Sequence, residues 1–163
     1  MLTCENLSFA IDGHKLIKDI NFNIQSQKDL LITGPSGFGK TTLLSILCGL
    51  QKPTEGNVKY DEINLYDLDE DKIDDFRGKK LGIVFQNFNL INAFTVKQNL
   101  DLANSIFNFK DNDQLYYLLE RIGLAEKSHI IVSKLSTGEK QRLAVARAFI
   151  GNPKWVFCDE PTS

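Results

Sequence analysis

No apolar run in this sequence approaches the roughly 18 residues needed to span a bilayer, so any membrane connection must come through a partner. The N-terminus has no apolar block of the kind a secretory leader requires, since from residue 4 onward it alternates like a strand. Cysteine is scarce: Cys4, Cys48 and Cys158 are widely spaced, with no CxxC pair. Two of the three sit in apolar runs, which reads as small buried hydrophobes in a reducing compartment. An excess of one charge is missing too. Nineteen basic against twenty-one acidic residues leave a net charge of −2, so nothing electrostatic favours nucleic acid as the main partner. Internal repeats and low-complexity linkers are also lacking. What remains is an ordinary globular composition, 42% hydrophobic and 25% charged, in 163 residues: one domain, long enough to bury a core.

Two strand-like runs flank an Asp-Gly turn signal, which predicts a β-hairpin over residues 2–25. The short apolar run 29–33 predicts a strand buried on both faces. After a glycine-rich loop, Leu43, Ile46, Leu47 and Leu50 share one helical face, with Gly49 placed to end the helix. Residues 52–65 read as turn, strand, turn, strand, and the charged stretch 67–80 as a surface helix with a basic end. A buried strand is expected over 81–85, mainly helical structure over 87–134 (95–107 and 113–124 both have helix-period apolar faces), a last helix over 138–150 and a last strand over 155–158. The expected class is α/β, with a helical insert between residue 87 and about residue 150.

Three stretches point to chemistry. Residues 34–41, "GPSGFGKT", match G-x-x-x-x-G-K-[ST], and strand, glycine loop, helix is the layout of a phosphate site. Phosphate oxygens need many short, aimed donors, which a side-chain-poor backbone supplies through its N–H groups. The helix N-terminus adds partial positive charge. In that pattern Lys40 reaches the β- and γ-phosphates, and the Thr41 hydroxyl ligates magnesium. "WVFCDE" ends a strand on Asp159, which can hold magnesium, and Glu160, placed to orient or deprotonate an attacking water. In "LSTGEKQR", Ser136 and Glu139 fit a helix capping box, which leaves Gly138, Gln141 and Arg142 unexplained.

Together these runs resemble the ATP-binding domain of ABC transporters. "GPSGFGKT" stands for its Walker A motif, "LSTGEKQRLAVARAF" for its signature and "VFCDEPTS" for its Walker B strand. "CGLQKPTEGNV" and the glutamine after "LGIVF", Gln86, match as well, in the family's order along the whole chain. The resemblance implies a P-loop NTPase core with an N-terminal antiparallel β subdomain (1–86 and 151–163) and a helical insert (87–150) ending in the signature helix. It implies that Gly34, Pro35, Ser36, Gly37, Phe38, Gly39, Lys40, Thr41 and Thr42 bind the phosphates of ATP, and that Thr41, Gln86 and Asp159 serve Mg2+. Glu160 becomes the catalytic carboxylate, with Lys40 and Gln86 beside it, and Ser136 and Gly138 contact the γ-phosphate in the site of a second ATP-binding domain. The other implied partner is an integral membrane permease subunit. It would dock beside Gln86 on a groove using Phe88, Leu90, Ile91 and Phe94, leaving the protein cytoplasmic and peripheral on the inner face of the membrane. Residues 81–103 look most like the subgroup serving lipoprotein release, macrolide efflux and FtsX-like membrane partners.

Departures from the family pattern carry expectations of their own. Ile11 stands where an aromatic residue usually stacks on adenine, which predicts weak base selectivity. Thr137 replaces the first signature glycine and, being β-branched, restricts the backbone near the γ-phosphate. Phe38 replaces a small residue in the P-loop. Family members continue past D-E-P-T-S into a D-loop and a switch histidine, for which neither His14 nor His129 can substitute in sequence order, so the chain reads as an N-terminal portion of a longer domain. Two other readings stay open: a truncated module that binds ATP without turnover, and a non-transport ABC ATPase.

Overall fold

A computed structural model describes residues 1–106 and 112–160. Phe107 of the expected helix 95–107, and residues 161–163, lie outside the described residues. The chain forms two compact units, Met1–Asp75 and Phe76–Ser163.

The first unit is built on the expected hairpin, β1 (Leu2–Ile11) and β2 (His14–Ile24). Asp12 and Gly13, both at positive φ (49° and 79°), make the tight turn between them. With β3 (Glu55–Tyr60) and β4 (Ile63–Asn64) they form an antiparallel sheet in the order β2-β1-β3-β4. Helix α1 (Lys40–Leu47) buries Leu43, Ile46 and Leu47. Tyr60 and Tyr66 tie that helix and its exit to the sheet side: the Tyr60 hydroxyl donates to the Leu47 carbonyl at 2.7 Å, and the Tyr66 hydroxyl to the carbonyls of Ile46 and Gln51. Leu50 does not extend the buried stripe, because the helix stops at Leu47 and Leu50 is exposed.

The buried strand expected over 29–33 is not formed. These residues carry no regular secondary structure, and Leu31 is 84% exposed. An apolar run becomes a buried strand only when neighbouring strands satisfy its backbone and layers cover both faces. Among the described residues, no strand is paired with it.

Helix α2 (Glu70–Lys80) buries nothing and follows its charge pattern, with Glu70 and Asp71 in the first turn and Arg77, Lys79 and Lys80 in the last. Asp69 caps it, accepting from the Lys72 N–H at 2.9 Å.

In the second unit β5 (Leu81–Val84) and β6 (Trp155–Cys158) pair in parallel, Leu81 opposite Trp155 and Val84 opposite Cys158. Between them run α3 (Val96–Ile106), α4 (Asn112–Arg121) and α5 (Thr137–Ala148). Val96, Leu100, Leu115, Leu119, Leu124 and Leu143 make the helical core. A side chain at Gly82 would put a Cβ 2.1 Å from the Ala148 carbonyl, so the end of α5 is pressed against the backbone of β5.

Candidate functional site

The glycine loop runs into α1 through Gly39, which holds the N-cap position in the left-handed conformation at φ 80°. A Cβ there would also come within 3.1 Å of Leu16 Cγ, so both backbone angle and space select glycine. Lys40 folds back across the loop, its ammonium donating to the carbonyls of Gly34 (3.0 Å) and Pro35 (2.9 Å). Phosphate oxygens are stronger acceptors for that ammonium than neutral carbonyls. The first turn of α1 holds no acidic residue and no side chain caps it, so its partial positive charge is left uncompensated. Gly34, Pro35, Ser36, Gly37 and Phe38 are exposed, as is Thr41, while Thr42 is half-buried. Phe38 is 71% exposed. Open backbone, a bare helix N-terminus and a lysine spanning the loop are the donor set that a polyphosphate fits.

In the second unit the parallel ladder continues one step past β6: the Asp159 N–H donates to the Val84 carbonyl at 2.9 Å. That bond holds Asp159 at the strand end, 7% exposed. The next residue, Glu160, has left-handed backbone (φ 48°), and its Oε2 accepts from Gln86 Nε2 at 2.9 Å. Residues 74 positions apart thus meet. Lys40 and Thr41 belong to the first unit, and Gln86, Asp159, Glu160, Ser136 and Gly138 to the second.

At the start of α5 the capping box forms. Ser136 Oγ accepts from the Glu139 N–H at 3.3 Å, and Glu139 Oε2 accepts from the Ser136 N–H (2.8 Å) and hydroxyl (2.9 Å). Lys127 completes the cluster, its ammonium 2.5 Å from Glu139 Oε1. That ammonium first, and then the two Ser136 donors, pull the Glu139 carboxyl down to about 2. A Cβ at Gly138 would meet only Arg142 Nη1, at an ordinary 3.8 Å.

A pocket of about 350 Å³ opens in the second unit, lined among others by Leu81, Phe85, Asn89, Ile91, Leu102 and Arg147. The four apolar residues expected around a groove divide. Ile91 and Phe94 are each 37% exposed, and Ile91 lines the pocket. Phe88 and Leu90 instead pack against the core.

Three residues of this unit escaped the sequence reading. Lys127 neutralises Glu139, and Arg147 donates to the carbonyls of Phe88 and Asn89. Asn99, 2% exposed, binds the backbone of Ile91 and Thr95. Only Asn99 had a visible signal, a polar residue three positions after Val96 on an otherwise apolar helix face.

A family model described as ABC transporter matches residues 17–163. The chain is 36% identical over 169 residues to the uncharacterized ABC transporter ATP-binding protein YvrO of Bacillus subtilis, covering 99% of this chain and 74% of YvrO. It is 35% identical over 163 residues to the lipoprotein-releasing system ATP-binding protein LolD of Leptospira interrogans, covering 99% of this chain and 69% of LolD. The solved dimeric structure of the ABC transporter cassette MJ0796, a protein of Methanocaldococcus jannaschii, superposes with a TM-score of 0.90 at 35% identity, over 99% of this chain and 75% of that one. A second MJ0796 structure, a dimeric post-hydrolysis state with ADP and Pi, matches equally well.

Proposed function

The chain belongs to the ABC transporter ATP-binding family, and from that premise we propose that it binds and hydrolyses ATP to drive a separate integral membrane subunit. The observation that carries the reading is the Gln86–Glu160 hydrogen bond (2.9 Å) beside buried Asp159, at the end of a strand laddered to β5. A carboxylate has several acceptor positions, so one oriented by an amide donor can also orient a water and accept its proton. The loop from Gly34 to Thr42 takes the phosphates, with Lys40 trading its loop carbonyls for β- and γ-phosphate oxygens. Thr41, Gln86 and Asp159 are the groups that would hold Mg2+. When bound, it neutralises charge on the phosphate oxygens.

Ser136 and Gly138 are assigned to the γ-phosphate held by a second ATP-binding domain, a reading that the dimeric ADP and Pi state of MJ0796 supports. The helical insert 87–150 carries that signature, and the pocket beside it suits an apolar segment of the membrane subunit, with Ile91 in its lining and Phe94 exposed nearby. Among the described residues no helix is long and apolar enough to cross a membrane, so attachment to the inner face would run through that subunit. The LolD relative fits the lipoprotein-release group suggested by residues 81–103, without fixing a substrate.

The test pairs two substitutions. Lys40→Ala should weaken ATP binding, whereas Glu160→Gln should keep binding and lose turnover by at least ~100-fold, the scale of a missing general base. Full hydrolysis in Glu160→Gln overturns the assignment. ATP binding by the unaltered chain with turnover at background would select a nucleotide-binding module instead.

A further inference from the structure

Arg147 stands in the last turn of α5, with no role in the reading above. Its guanidinium reaches the loop that follows β5, donating from Nη1 to the Asn89 carbonyl (2.5 Å) and from Nη2 to the Phe88 carbonyl (2.7 Å). Both carbonyls belong to residues in the left-handed region, Phe88 at φ 59° and Asn89 at φ 47°. Asparagine tolerates that conformation, but phenylalanine does not adopt it without strain. The turn is closed locally by the Phe88 N–H on the Phe85 carbonyl (2.9 Å) and the Asn89 N–H on the Asn87 carbonyl (2.6 Å). Gln86 lies inside this turn.

The backbone beside Arg147 packs closely on β5, where a Cβ on Gly82 would lie 2.1 Å from the Ala148 carbonyl, so the guanidinium reaches out from a helix end seated on the β5–β6 pair, just ahead of Asp159 and Glu160. Burial disfavours its charge, lowering its pKa, and both carbonyl bonds run to a charged donor, the one to Phe88 in a half-buried setting.

We propose that Arg147 is a positioning residue for hydrolysis: its two-pronged grip holds the 85–89 turn left-handed, and that turn sets Gln86 against Glu160. The proposal rests on the reading that Gln86 and Glu160 serve ATP hydrolysis. Lysine is a poor replacement, because its point-like ammonium lacks the planar fork whose two separate nitrogens here meet two separate carbonyls. Arg147 and Asn89 also line the pocket, so an occupant of the pocket bears directly on the latch.

The experiment is nuclear magnetic resonance of the 15N-labelled chain, following the Gln86 side-chain amide (assigned by its loss in Gln86→Ala). In Glu160→Ala that signal marks the broken bond. Arg147→Met, and the milder Arg147→Lys, are each expected to move it to the same position while the rest of the spectrum stays folded. An unmoved Gln86 amide in a folded Arg147→Lys or Arg147→Met protein overturns the proposal. Turnover is read separately. Full hydrolysis by Glu160→Gln would sink the hydrolytic reading while leaving the resonance result to judge the latch.

Discussion

Asn99 allows a stability prediction to be worked from individual bonds. Its side chain accepts from the Ile91 N–H (2.9 Å) and donates to the carbonyls of Ile91 (3.1 Å) and Thr95 (3.0 Å). Replacing it with leucine, close in shape, removes all three bonds but does not strand all three partners. The Ile91 carbonyl keeps the Phe94 N–H at 3.0 Å, and the Thr95 carbonyl keeps the Asn99 N–H at 3.1 Å. Only the Ile91 N–H loses the partner shown for it. The orphaned donor sits in a half-buried bond and so costs toward the low end of about 1–3 kcal/mol, and two further lost bonds about 0.5–1.5 kcal/mol each, partly offset by the apolar surface leucine buries. Asn99→Leu should therefore destabilise by about 2–4 kcal/mol. Urea denaturation monitored by circular dichroism reads this directly as a lower midpoint at unchanged slope. Asn99→Asp sharpens the test: it keeps the acceptor for Ile91 but puts negative charge against two carbonyls, so it should be at least as harmful. If Asn99→Leu stayed within about 0.5 kcal/mol of the parent, the inference that this amide holds the loop from Gln86 to α3 would be wrong.

The other predictions follow from single features. Gly49→Ala should cost about 2–4 kcal/mol in urea denaturation, since φ is +69° and the new Cβ would lie 2.7 Å from Ile73 Cγ2; a near-neutral result would mean that α1 does not need this stop. Glu139 has its pKa lowered from 4.5 to about 2, so what it contributes to folding is complete above 4.5 and is lost as pH falls through about 2. Stability curves of the parent and Glu139→Gln should therefore converge between pH 5 and 2, and curves that stay parallel would refute the coupling. Ile11 is half-exposed at the hairpin tip with no ring to stack. ATP and GTP should then bind within tenfold of each other, and Ile11→Tyr should strengthen ATP binding about 2- to 10-fold, the worth of one aromatic contact. A larger preference for ATP in the parent would show that base selectivity comes from elsewhere.

What was legible in the sequence was local. Asp12-Gly13 fixes its hairpin by backbone angles alone, α2 follows its charge order, and Ser136 with Glu139 spell a capping box that forms atom for atom. The glycine loop is legible because its chemistry sits in consecutive residues. What was not legible depends on distant partners. The run 29–33 has strand composition, but composition does not supply the neighbouring strand that a ladder needs. Arg147 reads as one more basic residue on a helix until Phe88 and Asn89, nearly sixty positions earlier, take their left-handed turn. The meeting of Gln86 with Glu160 is equally invisible to periodicity, and only the family resemblance put those two residues in one site.

Gly138 shows how the legible and illegible parts bear on each other. It lies in the first turn of α5, just after the capping serine, where alanine would favour the helix by roughly 0.5–1 kcal/mol. Neither reason for a glycine holds within the chain: its φ is not in the left-handed region, and a Cβ would touch nothing closer than Arg142 Nη1 at 3.8 Å. The capping box accounts for Ser136 and Glu139 and is indifferent to the two residues between them. A small residue at a capped helix start, with room for a Cβ beside only a flexible arginine end, makes sense when something outside the chain comes close to that backbone. The positive end of the helix makes an anionic group the fitting visitor, and Lys127 offsets the charge of Glu139, which would repel it. The same logic weighs against Thr137, whose branched side chain stands beside that approach. Thr137→Gly should leave folding nearly unchanged and raise turnover if the visitor is the γ-phosphate of a second domain's ATP, whereas unchanged turnover would mean that the threonine already stands clear of it.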